Sequence, residues 1–369
     1  MRGPKHQRSP RGARRSQAER WRLAGWPGGV PPPRSRAERA LATIVVDNTR
    51  SVGPVTTSSR SGILAALARA IAFLESNQLP SGELRVFASG KPDPSVFPTA
   101  VAAHALSFAP DAAKIRERAL DFLAAETDWR GLWRHWPREH PHHRQIPPDL
   151  DDTSCASAAL ERAGRTFPDN RRLLLANRNR RGLFYTWKLT PAQFRHPLAL
   201  VFFFQQTSAK PFDVDAVVNA NVLAYLGAIP ETRAVVDHLL TVLRENRETS
   251  CDKWYDNPFV VWYFFSRALH TVAPEAGEII EKKIAATTPS NALEHALAAC
   301  SLHYWNRNAG IRPLLDRQLQ SGAWPAAPLY HGGRARRRDG TFAPPHHDTP
   351  YWGSEELTTA FCIEALART

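Results

Sequence analysis

The sequence predicts an all-α fold, an α/α toroid of inner and outer helices, on three observations. Four segments share one spacing: Thr99-AVAAHA-Leu106, Thr153-SCASAA-Leu160, Asn219-ANVLAY-Leu226 and Thr359-AFCIEA-Leu366. Each opens on Thr or Asn, continues with Ala or Ser and reaches Leu seven residues on, which is two helical turns and the same face. Upstream of several copies stands a Gly, any residue, then an apolar one: Gly82-Glu-Leu, Gly131-Leu-Trp, Gly182-Leu-Phe and Gly322-Ala-Trp. Strand signals are confined to 84–88 and 182–189.

Apolar periodicity places helices near 61–77, 97–108, 112–125, 152–163, 214–227, 231–246, 256–270, 276–286, 291–303, 311–319 and 355–368. Two of them end in Gln, at Gln78 and Gln318, four residues before a repeat glycine. Each unit therefore reads as helix, Gly turn, irregular loop, second helix. Variable unit length and long Trp-containing loops favour a closed ring; spacing alone leaves an open solenoid as the alternative.

Composition divides the chain. Of the formal charge of +13, a net +9 lies in residues 1–40, which carry eleven Arg or Lys and only Glu19 and Glu38 as acids. Residues 1–45, rich in Pro and Arg, are expected to be a solvated tail, and 46–369 a single helical domain. Specific nucleic-acid binding is not expected once the tail is set aside. Arg14-Arg15 is followed by no apolar segment of the kind an export signal needs. The longest apolar runs, near 198–204 and 259–265, have the length of core helices, and peripheral membrane contact stays open. Four scattered cysteines in 369 residues point to a reducing, cytoplasmic setting.

One repeat departs from its sisters. Aligned on the Thr or Asn, Asp149 falls on Ser95, Asp215 and Glu355, so a polar residue there is ordinary. Asp151 falls on Phe97, Val217 and Leu357, an apolar position that should face inward, and Asp152 on Pro98, Val218 and Thr358. Burial and neighbouring like charge should raise such a carboxyl above the ~3.9 of free Asp. The helix-start dipole opposes this by only a few tenths to ~1 kcal/mol. A carboxyl kept protonated in an apolar cavity can donate its proton; the other reading has Asp149 and Asp152 capping the helix and Asp151 pairing with an Arg.

Asp149-Leu-Asp151-Asp152-Thr153 resembles the Asp-x-Asp-Asp-Thr motif of class II terpene cyclases, the squalene-hopene cyclase and copalyl diphosphate synthase type. Gln318 to Trp324, Gln-x3-Gly-x-Trp, is similar to the repeat of those cyclases and of protein prenyltransferase β subunits. The resemblance covers about 60–369 and implies the toroid fold, with an isoprenoid alkene or prenyl diphosphate as substrate. It implies Asp151 as the general acid, with Asp149 and Asp152 holding its proton. Carbocations need aromatic faces, and Trp136, Trp187, Trp254, Tyr255, Tyr351 and Trp352 are the candidates. Family members usually combine two barrels, and this chain has length for one, so a second subunit, a homodimer or a barrel working alone would close the site. The class I motifs for Mg²⁺ and the prenyltransferase zinc set are absent, so no cofactor or metal is expected; Mg²⁺ would enter only with a diphosphate substrate.

The loop Arg134 to Arg144 holds three Arg and four His just before the acid motif, and His143 and Arg144 are candidates for an anionic substrate group. A solvated loop is the alternative. His346-His347-Asp348 leads into the last inner helix, and Gly332 to Gly340 reads as an exposed loop. No P-loop, GxSxG or GxGxxG sequence occurs. Two other classes stay open: an α/α-barrel glycosidase or polysaccharide lyase, using for instance Asp151 and Glu355, and a non-catalytic toroid that binds a lipid or a partner.

Overall fold

The computed structural model describes residues 57–189 and 197–369; the expected tail over 1–45 lies outside them. In chain order the helices are α1 (Thr57–Asn77), α2 (Val96–Leu106), α3 (Ala113–Glu126), α4 (Leu150–Arg162), the short α5 (Arg171–Leu175), α6 (Pro197–Gln206), α7 (Ala216–Leu226), α8 (Arg233–Arg244), α9 (Pro258–Leu269), α10 (Glu275–Ala285), α11 (Ala292–Tyr304), the single turn α12 (Arg312–Leu315) and α13 (Glu355–Ala367). The contacts among six of these close a cycle: α2 packs on α4, α4 on α7, α7 on α9, α9 on α11, α11 on α13, and α13 returns to α2. Around them α3 packs on α2, α8 on α7, α10 on α9 and α1 on α13.

The sequences of the two sets differ as their positions require. α2 reads VFPTAVAAHAL and is buried at every residue, and α9 is buried from Phe259 to Leu269. A helix without a polar face has to be enclosed. α8 buries one stripe, Val235, Leu239, Leu240, Val242 and Leu243, and turns its charged residues outward.

One hydrogen bond accounts for both sequence repeats. The backbone N–H of Leu84 donates to Thr99 Oγ1 at 3.1 Å, Trp133 N–H to Thr153 Oγ1 at 3.1 Å, Phe184 N–H to Asn219 Oδ1 at 2.8 Å and Trp324 N–H to Thr359 Oγ1 at 3.1 Å. The residue two beyond each repeat glycine is thus tied to the Thr or Asn of the following inner helix. Gly322 sits at φ +91°, and a Cβ there would stand 2.4 Å from the Arg69 carbonyl oxygen; Gly82 makes the same approach to Arg118. The two glutamines cross-link neighbours: Gln78 Nε2 donates to the Gly82 and Ile115 carbonyls at 2.8 and 2.9 Å. Gln318 Nε2 donates likewise to Gly322 and to Ala66 of α1, so the last unit holds the first helix as an internal unit holds the next. The Trp133 and Trp324 indoles each donate at 2.7 Å to a carbonyl of the preceding segment, Leu123 and Leu314.

Three details depart from the sequence expectation. The helix expected over 311–319 is only the single turn α12, because Gln318 and Leu319 are used in the Gly322 turn. The strand expected over 182–189 is reduced to isolated bridges, Arg178 to Phe184 and Asp149 to Trp187. The strand signal at 84–88 is met by β1 (Phe87–Ala88), but the sheet it joins was not foreseen: β1, β2 (Lys91–Pro92), β3 (Ala327–His331) and β4 (Tyr351–Ser354) run antiparallel in the order β2-β1-β4-β3. Its strands are too short for a period-two pattern, and β3 carries Pro328. Among the described residues no helix is long and apolar enough to cross a membrane.

Gly322→Ala should lower the unfolding free energy by about 2–4 kcal/mol, through a positive φ and a clash with backbone that cannot yield. Gly310, with open space around a Cβ and no positive φ, is the control and should change stability by less than about 0.5 kcal/mol as Ala. Urea denaturation of the two variants compares them directly.

Candidate active site

The starts of α2, α4 and α7 and the strands β3 and β4 converge on one cavity. It holds about 770 Å³ free of protein atoms, part of it open at the mouth. Phe97, Asp151, Asp152, Val218, Tyr330 and Trp352 each reach it from these elements. Three carboxyls lie along its floor in different environments.

Asp149 is the N-cap of α4, and its Oδ1 accepts the Asp152 backbone N–H at 2.8 Å. Asp152 is buried at the first turn, where a further oxygen, Oδ1, has no partner among the described residues. The two carboxyls lie within hydrogen-bonding reach of each other. Burial first, then the Asp149 charge and this contact, push Asp152 well above the ordinary carboxyl range. Asp149 rises to about 6 by burial, held back by the hydrogen bonds it receives from Asp152. Asp152 is therefore the member that keeps the proton.

Asp151 stands apart from this pair and alone of the three is partly accessible. Tyr255 donates its hydroxyl to Oδ2 at 2.5 Å, and Asn221 Nδ2 donates to Oδ1 at 2.5 Å. The Asn221 amide can be oriented in only one way, because Arg267 Nη2 donates to its Oδ1 at 2.7 Å and leaves the NH₂ facing Asp151. The two donors and the more distant Arg267 charge lower the pKa, burial and Asp149 raise it, and burial dominates: the carboxyl titrates at about 7. Among the described residues no Arg pairs with Asp151 directly.

The lower wall is pinned by two further buried carboxylates. Asp252 accepts backbone N–H groups of Val217, Trp254 and Tyr255 at 2.8, 2.8 and 3.3 Å. Asp215 accepts the Thr186 hydroxyl at 2.5 Å, the Lys253 N–H at 3.1 Å and the Trp254 indole at 3.1 Å. Arg334 is buried and donates to the Asp252 and Tyr255 carbonyls, so it supports this segment rather than facing a ligand. These groups fix Trp254 and Tyr255 against the start of α7.

Of the aromatic candidates, Trp136, Trp187, Trp254, Tyr255 and Trp352 line the cavity. Trp352 stacks on Tyr330, ring centroids 5.3 Å apart and planes 4° from parallel, and is anchored by its indole N–H on Asp93 at 2.7 Å. Trp187 meets Trp254 edge-on at 5.8 Å. Tyr351 is not in the lining: alternation along β4 turns it away from the face that Trp352 presents, toward His331. His143 is half-buried behind the wall, its Nδ1 bonded to the Trp136 carbonyl at 2.8 Å, and Arg144 is exposed in the loop; neither reaches the cavity. Glu355 is also absent from it. Tyr330, His135, Asn221 and Arg267 were not singled out from sequence. Asn221 follows the repeat residue Asn219 by two, the one available sign that a polar group enters an apolar helix there.

Among the described residues one group of three has metal-ligand spacing, His346, His347 and Asp348, with atoms within 4.8 Å of one another. Both histidines are exposed and none of the three lines the cavity.

No family model matches the chain, and no curated protein matches it. Solved structures do. A protein from Actinoplanes superposes with a TM-score of 0.60 at 21% identity, over 83% of this chain and 99% of that one. The type II terpene cyclase MstE from Scytonema, as a variant in complex with geranylgeranyl dihydroxybenzoate (substrate), gives 0.62 at 16% identity over 85% and 99%. Another MstE variant, in complex with merosterolic acid A (product), gives 0.62 at 14% over 84% and 97%. The chain has the helical fold of a class II terpene cyclase.

Asp151 leaves a signature in stability. The folded carboxyl keeps its proton up to about 7, whereas the free group releases it near 3.8, so this residue withdraws stability as pH rises through that window and no further above it. Asp151→Asn should therefore be more stable than wild type at about pH 8, by on the order of 3 kcal/mol, with the gap closing toward about pH 4. Thermal melts across this range are the check; a gap that does not change with pH would show that the carboxyl carries no such penalty.

Proposed function

We propose that the protein is a single-barrel class II terpene cyclase, an α/α toroid in which Asp151 starts cyclisation by protonating an isoprenoid alkene. The observation that carries this reading is the Asp151 carboxyl itself, titrating at about 7, held by Tyr255 and Asn221 at the edge of an aromatic cavity. The closed cycle of helix contacts supports the toroid. MstE supports a single barrel and an isoprenoid substrate, since 99% of its chain is spanned by 85% of this one and it holds geranylgeranyl dihydroxybenzoate.

In the proposed reaction the Asp151 O–H bond breaks as the alkene π pair forms a C–H bond to its proton. A tertiary carbocation remains, and the next alkene closes on it. The leftover carboxylate accepts both the Tyr255 and Asn221 hydrogen bonds, which grow stronger as charge develops on oxygen and so favour the transition state over the ground state. Trp136, Trp187, Trp254, Tyr255, Tyr330 and Trp352 are the source of ring faces for the cation, each face worth about 0.5–2 kcal/mol. Loss of a proton from the last cation leaves an isomer of the substrate, so the sequence needs no oxidant and no resident metal; Mg²⁺ would come only with a diphosphate group. Asp149 and Asp152, neighbours of each other and buried beside Asp151, return its proton in this reading. A carbohydrate-cleaving reading needs a second carboxyl across the cavity, where this lining is aromatic. Leu198 and Val201 on α6 are exposed, and Phe203 and Thr207 of the same segment line the cavity, so contact with a membrane would open the site toward its apolar substrate.

Asp151→Asn should lower turnover of a prenyl substrate about 10³-fold, within the range of a lost general acid. Geranylgeranyl dihydroxybenzoate, farnesyl and geranylgeranyl diphosphate and squalene are the substrates to assay, and unchanged product formation would overturn the assignment. For the wild type, kcat/KM should fall about tenfold per pH unit above about 7, as the acid is lost. Tyr255→Phe removes a bond that lowers the Asp151 pKa, so it should move that alkaline limb upward while reducing the plateau; a limb that stays in place would disconnect Tyr255 from the acid.

A further inference from the structure

The inner helices that begin at the aromatic cavity all end at a second one. This opens on the opposite face of the cycle and, with the solvent at its mouth, spans about 1570 Å³ free of protein atoms. Three guanidiniums converge on it: Arg162 at the end of α4, Arg267 near the end of α9 and Arg368 just beyond α13. Arg368 is paired with Glu364 at 2.8 Å and lies over the Tyr304 ring at 4.1 Å. Arg267 is buried and gives hydrogen bonds to Asn221 and to Cys155 Sγ. Arg162 has no carboxylate and no hydrogen-bond partner among the described residues; its one contact is the Phe108 ring at 5.9 Å. Its neighbour Glu161, also on the rim, is held by Arg171 at 2.6 Å.

Helix C-termini favour a cation, which accounts for a basic residue at each end. It does not account for three that share one space, with one of them unpaired. Of the histidines on the same walls, all lowered first by burial, His104 is shifted further by all three arginines, His270 by Arg368 and Arg162, and His303 by Arg368. His104 is pushed well down, first by burial and then by Arg267, Arg162 and Arg368, so the surplus resides on the guanidiniums. Between them the walls carry the apolar surfaces of Phe108, Leu223, Tyr225 and Ala268 alongside the polar His104, His270, Thr271, His303 and Asn306. The chain's own N-terminal stretch is an unsuitable occupant, since residues 1–40 carry a net +9.

The geometry points to a binding site in this cavity for a small amphiphilic oxyanion, a phosphate or diphosphate on an apolar body, with Arg162 as the free contact and Arg267 and Arg368 behind it. Charge-assisted bonds from guanidinium hold the oxyanion, and the apolar wall surfaces take the rest. The site is distinct from the one that holds Asp151, although Arg267 touches both: its guanidinium lines this cavity and orients Asn221 beneath the acid.

Binding of phenyl phosphate and of inorganic diphosphate to the full-length protein, measured by calorimetry with hydrogen exchange to locate it, tests the site without any turnover. It therefore stands or falls independently of the cyclase reading. One saturable site is expected, with phenol failing to bind and protection at 158–162, 223–228 and 267–272. Arg162→Glu should weaken both ligands by roughly tenfold or more, the loss expected for one charge-assisted contact, and Arg162→Lys should retain most of the binding. Because Arg162 is exposed, the variants are expected to fold, which circular dichroism checks. The proposal is overturned by no saturation up to about 10 mM, by affinity unchanged in Arg162→Glu, or by protection around 133–152 at the other cavity.

Discussion

The bond from a backbone N–H beyond each repeat glycine to the Thr or Asn of the next inner helix determines where everything else lies. It fixes the rotation of that helix about its axis, because the side chain that accepts the bond has to face the turn. The residue two positions earlier is then directed inward. Phe97, Val217 and Leu357 occupy that place as buried apolar groups, and Asp151 occupies it beside Thr153. A substitution at one position of a packing repeat is enough to set a carboxyl against the cavity, with the scaffold unchanged. Chemistry and fold are separable here because the anchor and the acid are different side chains on the same turn.

The fold tolerates this acid because two donors are already aimed at it, and neither is free to turn away. Asn221 is locked by Arg267, and the Tyr255 segment is locked by Asp252 and Arg334. Burial alone would move the carboxyl further up; donors alone would hold it down among ordinary carboxylates. Their balance leaves it near 7, where it is both present as the acid and able to give its proton up. Asp149 and Asp152 show the other outcome, in which burial raises two neighbouring carboxyls and raises Asp152 further than Asp149.

The helices were legible in the sequence because inner and outer sets have different periodicities, and all six inner helices were located from those patterns. Thr153 and its counterparts were legible as a repeat, although their bonding role was not, since the donor lies 15 to 35 residues upstream and carries no side-chain signal. The small sheet stayed hidden for want of length. Asp151 could be read as exceptional by comparison with its sister repeats, whereas Asn221 and Arg267 could not, because a polar residue in an inner helix has no meaning until its partner across the cycle is known. The basic loop before the acid motif attracted attention by composition. His143 and Arg144 lie outside the cavity, as His143 is spent on a carbonyl of the wall and Arg144 faces solvent.

The seam at Gln318 bears on how the chain is made. Its bond to Ala66 joins residues 252 apart, and through it α1 is held by a segment synthesised much later. An open solenoid can grow repeat by repeat behind the ribosome, each unit resting on the one before. A closed cycle leaves α1 without its partner α13 until all the intervening units have been made, so these long-range contacts form late and slow the closing of the cycle. Until then the apolar flank of α1 is exposed, and a chain ending before Gln318 would keep it so.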